Sequence, residues 1–305
     1  TIARSRKHVT KYYDTSEIGE FPTRLTPKSF YTDIAKEKDT ISYKTIYEEL
    51  MNLTMGVYAP TQYIQPSKIR KYEALYDIDV EGRPTLKQAN REKALQRLMT
   101  INMLKRLESC VDSFRITIKN VKKASDDTLE KIEEFERTGL DSTNEFNNID
   151  IDNIDEEEFD LSDEGTIGKI KIDFKDMDLR RYKQDLQHDI DSLDTLYYFM
   201  QEITPDKDLK LQKLKEVISD KIENPINDGN KKILVFSAFS DTANYLYKNL
   251  VDFVKEKFGI ESAKIQGSGS NSATIPGSKD TDRLLSMFSP ISKERDKIYE
   301  DEKYD

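Results

Sequence analysis

Apolar residues recur at helical spacing through most of this chain, and the two longest runs lie near its middle. Leu104, Leu107, Val111, Phe114, Ile118 and Val121 alternate steps of three and four residues, a heptad seam. Leu129 and Ile132 carry the seam toward Gly139, a residue suited to a helix C-terminus. The pattern predicts one helix over about 86–137. A second seam, Leu179, Tyr182, Leu186, Ile190, Leu193, Tyr197, Met200 and Ile203, predicts another over about 178–204, with a stutter between Leu186 and Ile190. Joined through residues 139–170, the two make a long antiparallel helical hairpin. Shorter helices are predicted on either side. Asp39-Thr40 offers an N-cap for a helix through about residue 57, with Tyr43, Ile46, Leu50 and Leu53 on one face. Another follows Pro205-Asp206 through about residue 222, with Leu211, Leu214, Val217 and Ile218. The first 30 residues, with Pro22 and Pro27, read as an irregular segment crossing a surface.

Beyond Asn224-Pro225 and Asp228-Gly229-Asn230 the pattern changes. Ile233-Leu234-Val235-Phe236 is short, apolar and β-branched, as a buried parallel strand would be. A helix is predicted over 241–258 (Ala243, Leu246, Leu250, Val254), a second strand over 262–266, and a helix over 282–288 after a Gly/Ser-rich loop. That order opens a doubly wound α/β domain. The expected fold class is therefore mixed: a mainly helical part over 1–229, then a partial α/β domain over 230–305.

Composition adds limits. Charged residues make up 35% of the chain and hydrophobic ones 36%, a polar balance that suits exposed helices. Cys110 is the only cysteine, which excludes an internal disulfide and fits a reducing compartment. No apolar run approaches the roughly 20 residues needed to cross a bilayer, and the N-terminus has no secretory pattern. A cytoplasmic location and no membrane partner are expected. The net charge is −10, but residues 141–165 alone hold eleven Asp or Glu and no Lys or Arg, so the remainder is close to neutral and can carry a basic patch.

Several chemistries find no support. His8, His188 and Cys110 do not make a conventional zinc site. After Asp150 and Asp152, Ile154 and Asp155 stand where a calcium loop needs a ligand and a glycine. Gly277-Ser278-Lys279-Asp280 lacks the Gly-Lys-Ser/Thr order of a phosphate-binding loop. Asp155 to Glu158 follow no apolar strand, so they are no Mg²⁺ box.

The segment from Lys232 through Phe236, then Ser237-Ala238-Phe239-Ser240-Asp241-Thr242, resembles the strand and turn that open the second RecA-like lobe of superfamily 2, Swi/Snf-type motors. Gln266-Gly267-Ser268 resembles the family's Gly-Ser segment, and Arg283 to Phe288 the helix after it, with an enlarged interval between them. Arg4 to Val9, then Phe21-Pro22-x-Arg24-Leu25-x-Pro27-Lys28, resemble the exit from the first lobe. Arg91-Glu92, Leu98-Met99 and Leu104 to Ser109 are similar to a helix of bacterial members related to the RNA-polymerase-associated ATPase. The resemblance covers about half the chain. It implies that 1–229 is an inter-lobe helical insertion and 230–305 the N-terminal part of a RecA-like, P-loop-NTPase-type lobe. It also implies a parent helicase or translocase that uses ATP and Mg²⁺ on nucleic acid, duplex DNA foremost.

The catalytic parts are expected before Thr1 and after Asp305, so this chain alone is expected neither to hydrolyse ATP nor to bind it tightly. The resemblance implies Ser237, Phe239, Ser240, Gly267, Ser268 and Arg283 as the nucleic-acid contacts, and hydroxyls and backbone N–H groups at the carboxyl end of a parallel strand would face the ligand crevice. Arg4, Arg6, Lys7 and Lys11 could neutralise phosphates or form a solvated patch. Lys105, Arg106 and Arg115 are read as flanking the seam. The alternative is a non-catalytic coiled-coil interaction module with a small α/β domain, binding a protein partner through the hairpin.

Overall fold

A computed structural model describes residues 8, 11–12, 21, 23–35, 41–78, 85, 87–140, 145–146, 170–267 and 269–298. Helix α1 (Tyr43–Asn52) starts at Ser42, whose Oγ accepts a hydrogen bond from Thr45 N at 3.1 Å. Asp39 and Thr40, the expected cap, lie outside the described residues. Two 3₁₀ turns, Gly56–Tyr58 and Pro60–Tyr63, and helix α2 (Ile69–Tyr76) follow. The long helices are α3 (Gln88–Ser109), α4 (Val111–Thr138) and α5 (Leu179–Gln201). Strands β1 (Glu145–Phe146) and β2 (Ile170–Lys171) pair antiparallel between α4 and α5. The rest of the acidic segment lies outside the described residues.

The hairpin forms, with one correction. The seam predicts a continuous helix over 86–137, but the chain breaks at Cys110, which takes extended geometry (φ −161°, ψ 157°). Cys110 ends α3 and caps α4, its Sγ accepting from Ser113 N at 3.3 Å. Heptad spacing cannot register the break, because Leu107 and Val111 on either side point into the same core. Helices α4 and α5 run antiparallel: Glu136 pairs with Lys183 at 2.6 Å and Lys122 with Asp194 at 3.4 Å, and Arg115 Nη1 donates to Met200 O at 3.2 Å. On α5 the buried stripe takes Leu196 where the seam places Tyr197. Gly139, in the left-handed region at φ 66°, closes α4 as expected.

The hairpin is covered along one side rather than standing free. Ile46, Leu50 and Met55 pack with Met99, Met103, Phe114, Ile118, Leu193 and Met200 in the main core. Toward the β1–β2 end, Tyr63, Tyr72, Ile132, Phe174, Tyr182 and Leu186 form a second core, in which Tyr63 and Tyr182 stack at 4.1 Å. Two buried carboxylates pin the irregular stretch between α1 and α2. Asp189 accepts from Thr54 N (2.7 Å) and Gly56 N (3.2 Å), and Glu92 from Thr61 N (3.0 Å). No helix among the described residues is long and apolar enough to cross a membrane.

Helix α6 (Leu209–Glu223) begins at Asp208, whose Oδ1 accepts from Leu211 N at 3.0 Å. Helix α7 (Ser240–Phe258) packs on α6 through Ile218, Ile222 and Val254, and on the α3–α4 junction through Cys110, Leu211 and Tyr245. The protein is mostly helical, and the expected parallel sheet does not appear among the described residues. Residues 233–236 join no ladder, and Phe236 is 88% exposed where a buried strand was expected. The second expected strand shrinks to β3 (Ala263–Lys264), which pairs antiparallel with β4 (Ser272–Ala273). A hairpin closes a short loop at small entropic cost, whereas a parallel partner needs a crossover connection. Helices α8 (Thr281–Phe288) and α9 (Arg295–Ile298) finish the described chain.

Candidate nucleic-acid interface

The turn between the extended run and α7 holds the first group of expected contacts. Phe239 N donates to Ser237 Oγ at 3.2 Å, a local hydroxyl turn that aims the chain into the helix. Ser237 and Ser240 are exposed, and Ser240 opens a helix of 19 residues whose first N–H groups lack intrahelical acceptors. Hydroxyls and N–H groups so placed suit a phosphodiester oxygen, helped by the positive end of the helix dipole.

Phe239 is only half-buried, but its ring is not free on both faces. The guanidinium of Arg106 lies 4.7 Å from its centroid, a cation–π contact. The same Arg106 pairs with Asp241 Oδ2 at 2.8 Å and donates to Ser113 Oγ at 3.2 Å. One residue further on, Thr242 Oγ1 shares a 2.7 Å hydrogen bond with Ser109 Oγ and lies 3.3 Å from Cys110 Sγ. Tyr245 OH donates to Asp208 Oδ2 at 2.8 Å. Burial pushes the Cys110 thiol up, and burial with the nearby Asp208 carboxylate pushes the Tyr245 phenol up, so both stay protonated at neutral pH. A cavity of about 350 Å³ opens here, walled by Leu211, Leu214, Val235, Phe236 and Leu246.

The second group sits elsewhere in its loop. Gly267 is exposed beyond β3, and Ser268 lies outside the described residues, as do Arg4, Arg6 and Lys7. Arg283 was expected to face nucleic acid, yet it is 5% exposed. Its Nη1 donates to Pro276 O (3.0 Å) and Ser278 O (2.8 Å), so it braces the loop before α8. Gly277, at φ 85°, passes so near this guanidinium that a Cβ there would lie 2.9 Å from Nη2. Lys279 Nζ donates to Ile275 O inside the same loop. With its lysine and arginine turned onto its own carbonyls, the loop at 275–283 does not fit nucleotide phosphates and Mg²⁺. Among the described residues no group of three or more His, Cys, Asp or Glu could hold a metal ion.

A wider groove of about 560 Å³ runs between residues 31–33 and α6, but its lining sets Asp33 and Glu216 beside Lys213 and Lys215, a balance that favours no polyanion. Sequence reading placed Thr242 in the turn but missed Arg106, Ser109 and Cys110 as its surroundings. The available signal was Ser109-Cys110 followed by Asp112, small polar residues and an early acid of the kind that start helices. No known family is matched by this chain, and neither the curated proteins nor the solved structures contain a significant match.

Proposed function

We propose that this chain is part of an ATP-dependent, Swi/Snf-type translocase of nucleic acid, supplying its inter-lobe helices and the start of its second motor lobe. The observation that carries the reading is the run from Lys232 to Thr242: an exposed apolar segment, a hydroxyl turn and the N-terminus of α7, with Ser237 and Ser240 open to solvent. Its residues resemble the motor motif in order, and its chemistry suits a sugar-phosphate backbone. Gly267, and Ser268 beside it, would extend the same contact. Arg283 supports the loop rather than the ligand. ATP would be bound and hydrolysed by parts of the protein other than residues 1–305, while this chain's own residues grip and release the backbone. Duplex DNA is the ligand we favour.

The test is ATPase activity of the intact gene product, with and without duplex DNA, single strands and RNA. Stimulation by duplex DNA that is weakened by Ser237→Glu and Ser240→Glu, which place negative charge against the phosphates, is the expected result. A product that neither hydrolyses ATP nor binds nucleic acid at low salt would overturn the reading. It would favour the alternative, a non-catalytic module that binds a protein through the face of the α4–α5 hairpin left open by the covering segments.

A further inference from the structure

We propose that Arg106 is a positioning residue for the 237–242 turn, through which the helical part of the chain controls how well that turn holds a nucleic-acid backbone. The inference rests on the reading of the turn as a nucleic-acid contact. It adds the element that regulates it.

Arg106 stands in the last turn of α3 and is 3% exposed. Its side chain touches the residues on both sides of Ser240, stacking on Phe239 and pairing with Asp241 at 2.8 Å. It also holds Ser113 in the first turn of α4, so a single guanidinium joins three segments. A planar guanidinium can stack and donate in its plane at once, which an ammonium cannot do. Ser109 and Cys110 add contacts to Thr242 from the same junction. No flexible loop intervenes between the break at Cys110 and the turn. A displacement of α3 against α4 therefore bears on Phe239, Asp241 and Thr242, the residues that flank Ser240 and, through Phe239, hold Ser237.

The pairing has an electrostatic consequence as well. Asp241 lies in the first turn of α7, where a bare carboxylate would repel the phosphate that the helix N-terminus attracts. Arg106 cancels that charge from behind. It thus fixes the turn's geometry and clears its field while itself remaining covered.

The test uses the 305-residue chain and two readouts: hydrogen exchange at the amides of 239–243, and fluorescence anisotropy with a fluorescein-labelled duplex DNA at low salt. Arg106→Met is expected to speed exchange there by about tenfold or more, as loss of a charged hydrogen bond implies. It should also weaken DNA binding about fivefold, the effect of one uncompensated charge close to phosphate in water. Adding Asp241→Asn should restore only the part of the affinity lost to the uncovered charge, leaving exchange fast and the remainder of the loss in place, a split that a purely electrostatic or a purely structural contact would not show. Arg106→Lys keeps the charge, and should bind DNA better than Arg106→Met even if that variant is poorly folded.

Unchanged affinity in Arg106→Met, beside weakened binding in Ser240→Glu, would overturn the positioning role and leave the turn as a nucleic-acid contact. Unchanged exchange at 239–243 would overturn it as well. A wild-type chain that binds no DNA, while the intact gene product still shows DNA-stimulated ATPase, would overturn the role of Arg106 in this chain but not the motor reading.

Discussion

Replacing Glu92 by glutamine should remove most of the protein's pH dependence of stability near neutrality. Glu92 is 3% exposed, and its carboxylate accepts hydrogen bonds from Thr61 N, Thr61 Oγ1 and Gln88 Nε2. Burial outweighs these hydrogen bonds and the nearby Arg91 charge, and raises its pKa to about 7. The folded state therefore holds the proton more tightly than the unfolded state, where the group is an ordinary glutamate. The stability it contributes is complete below about pH 4.5 and is lost as pH rises through about 7. A displacement of that size corresponds to about 3 kcal/mol. In a chain of 305 residues that is on the order of 5 °C in Tm. Burial raises the Asp189 carboxyl as well, in the same sense as Glu92, whereas Asp176, Glu261 and Asp280 shift the other way, with an effect that falls in acid, below this window.

Thermal and urea unfolding followed by circular dichroism at pH 5, 6, 7 and 8 would measure the slope. The wild type should lose stability toward pH 8, and Glu92→Gln should lose less than about 1 kcal/mol over that range. Any fixed cost of setting the new amide against Gln88 would move the whole curve without changing its slope. An equal slope in the two proteins would refute the assignment, since the proton would then reside elsewhere. A wild type more stable at pH 8 than at pH 5 would refute its sign.

Asp189→Ala would leave the N–H groups of Thr54 and Gly56 without their acceptor; a loss of about 2–4 kcal/mol is expected in urea unfolding. Ile118→Ala, at a fully buried position between the long helices, should cost about 2–5 kcal/mol by the same measurement. Gly56→Ala would place a Cβ 2.6 Å from Tyr63 Oη, whose hydrogen bond to Asp185 limits its retreat, so a lowered Tm worth about 1–3 kcal/mol is expected.

The helical part was legible because its signal is local. Stripes at three- and four-residue spacing placed both arms of the hairpin, and Gly139 marked where one of them stops. Pairing between distant segments left no such trace. Nothing periodic announces that Glu92 and Asp189, on different helices, both accept N–H groups from the stretch after α1. The surroundings of Arg283 were hidden for a similar reason: its position in α8 fits a surface cation, but the carbonyls that hold it belong to a turn shaped by Gly277. Residues 233–236 show the converse case. Their β-branched apolar character is strong, yet a strand exists only where another lies beside it, and none does among the described residues.

The break at Cys110 ties these observations together. A helix running straight through this point would keep Cys110 Sγ from capping Ser113 N and would give the residues around it an ordinary helical path. The break instead leaves Arg106, Ser109 and Cys110 as the end of one helix and the cap of the next, all directed at α7. It occurs without glycine or proline, so it is held by contacts rather than by backbone preference. A sequence tends to contradict its own local pattern where tertiary contacts outweigh local preference, and functional sites are common among such places. Here the contradiction lies directly against the turn that carries Ser237 and Ser240. The two parts of the chain are therefore best treated as one mechanical unit, and variants in either should be read for their effect on the other.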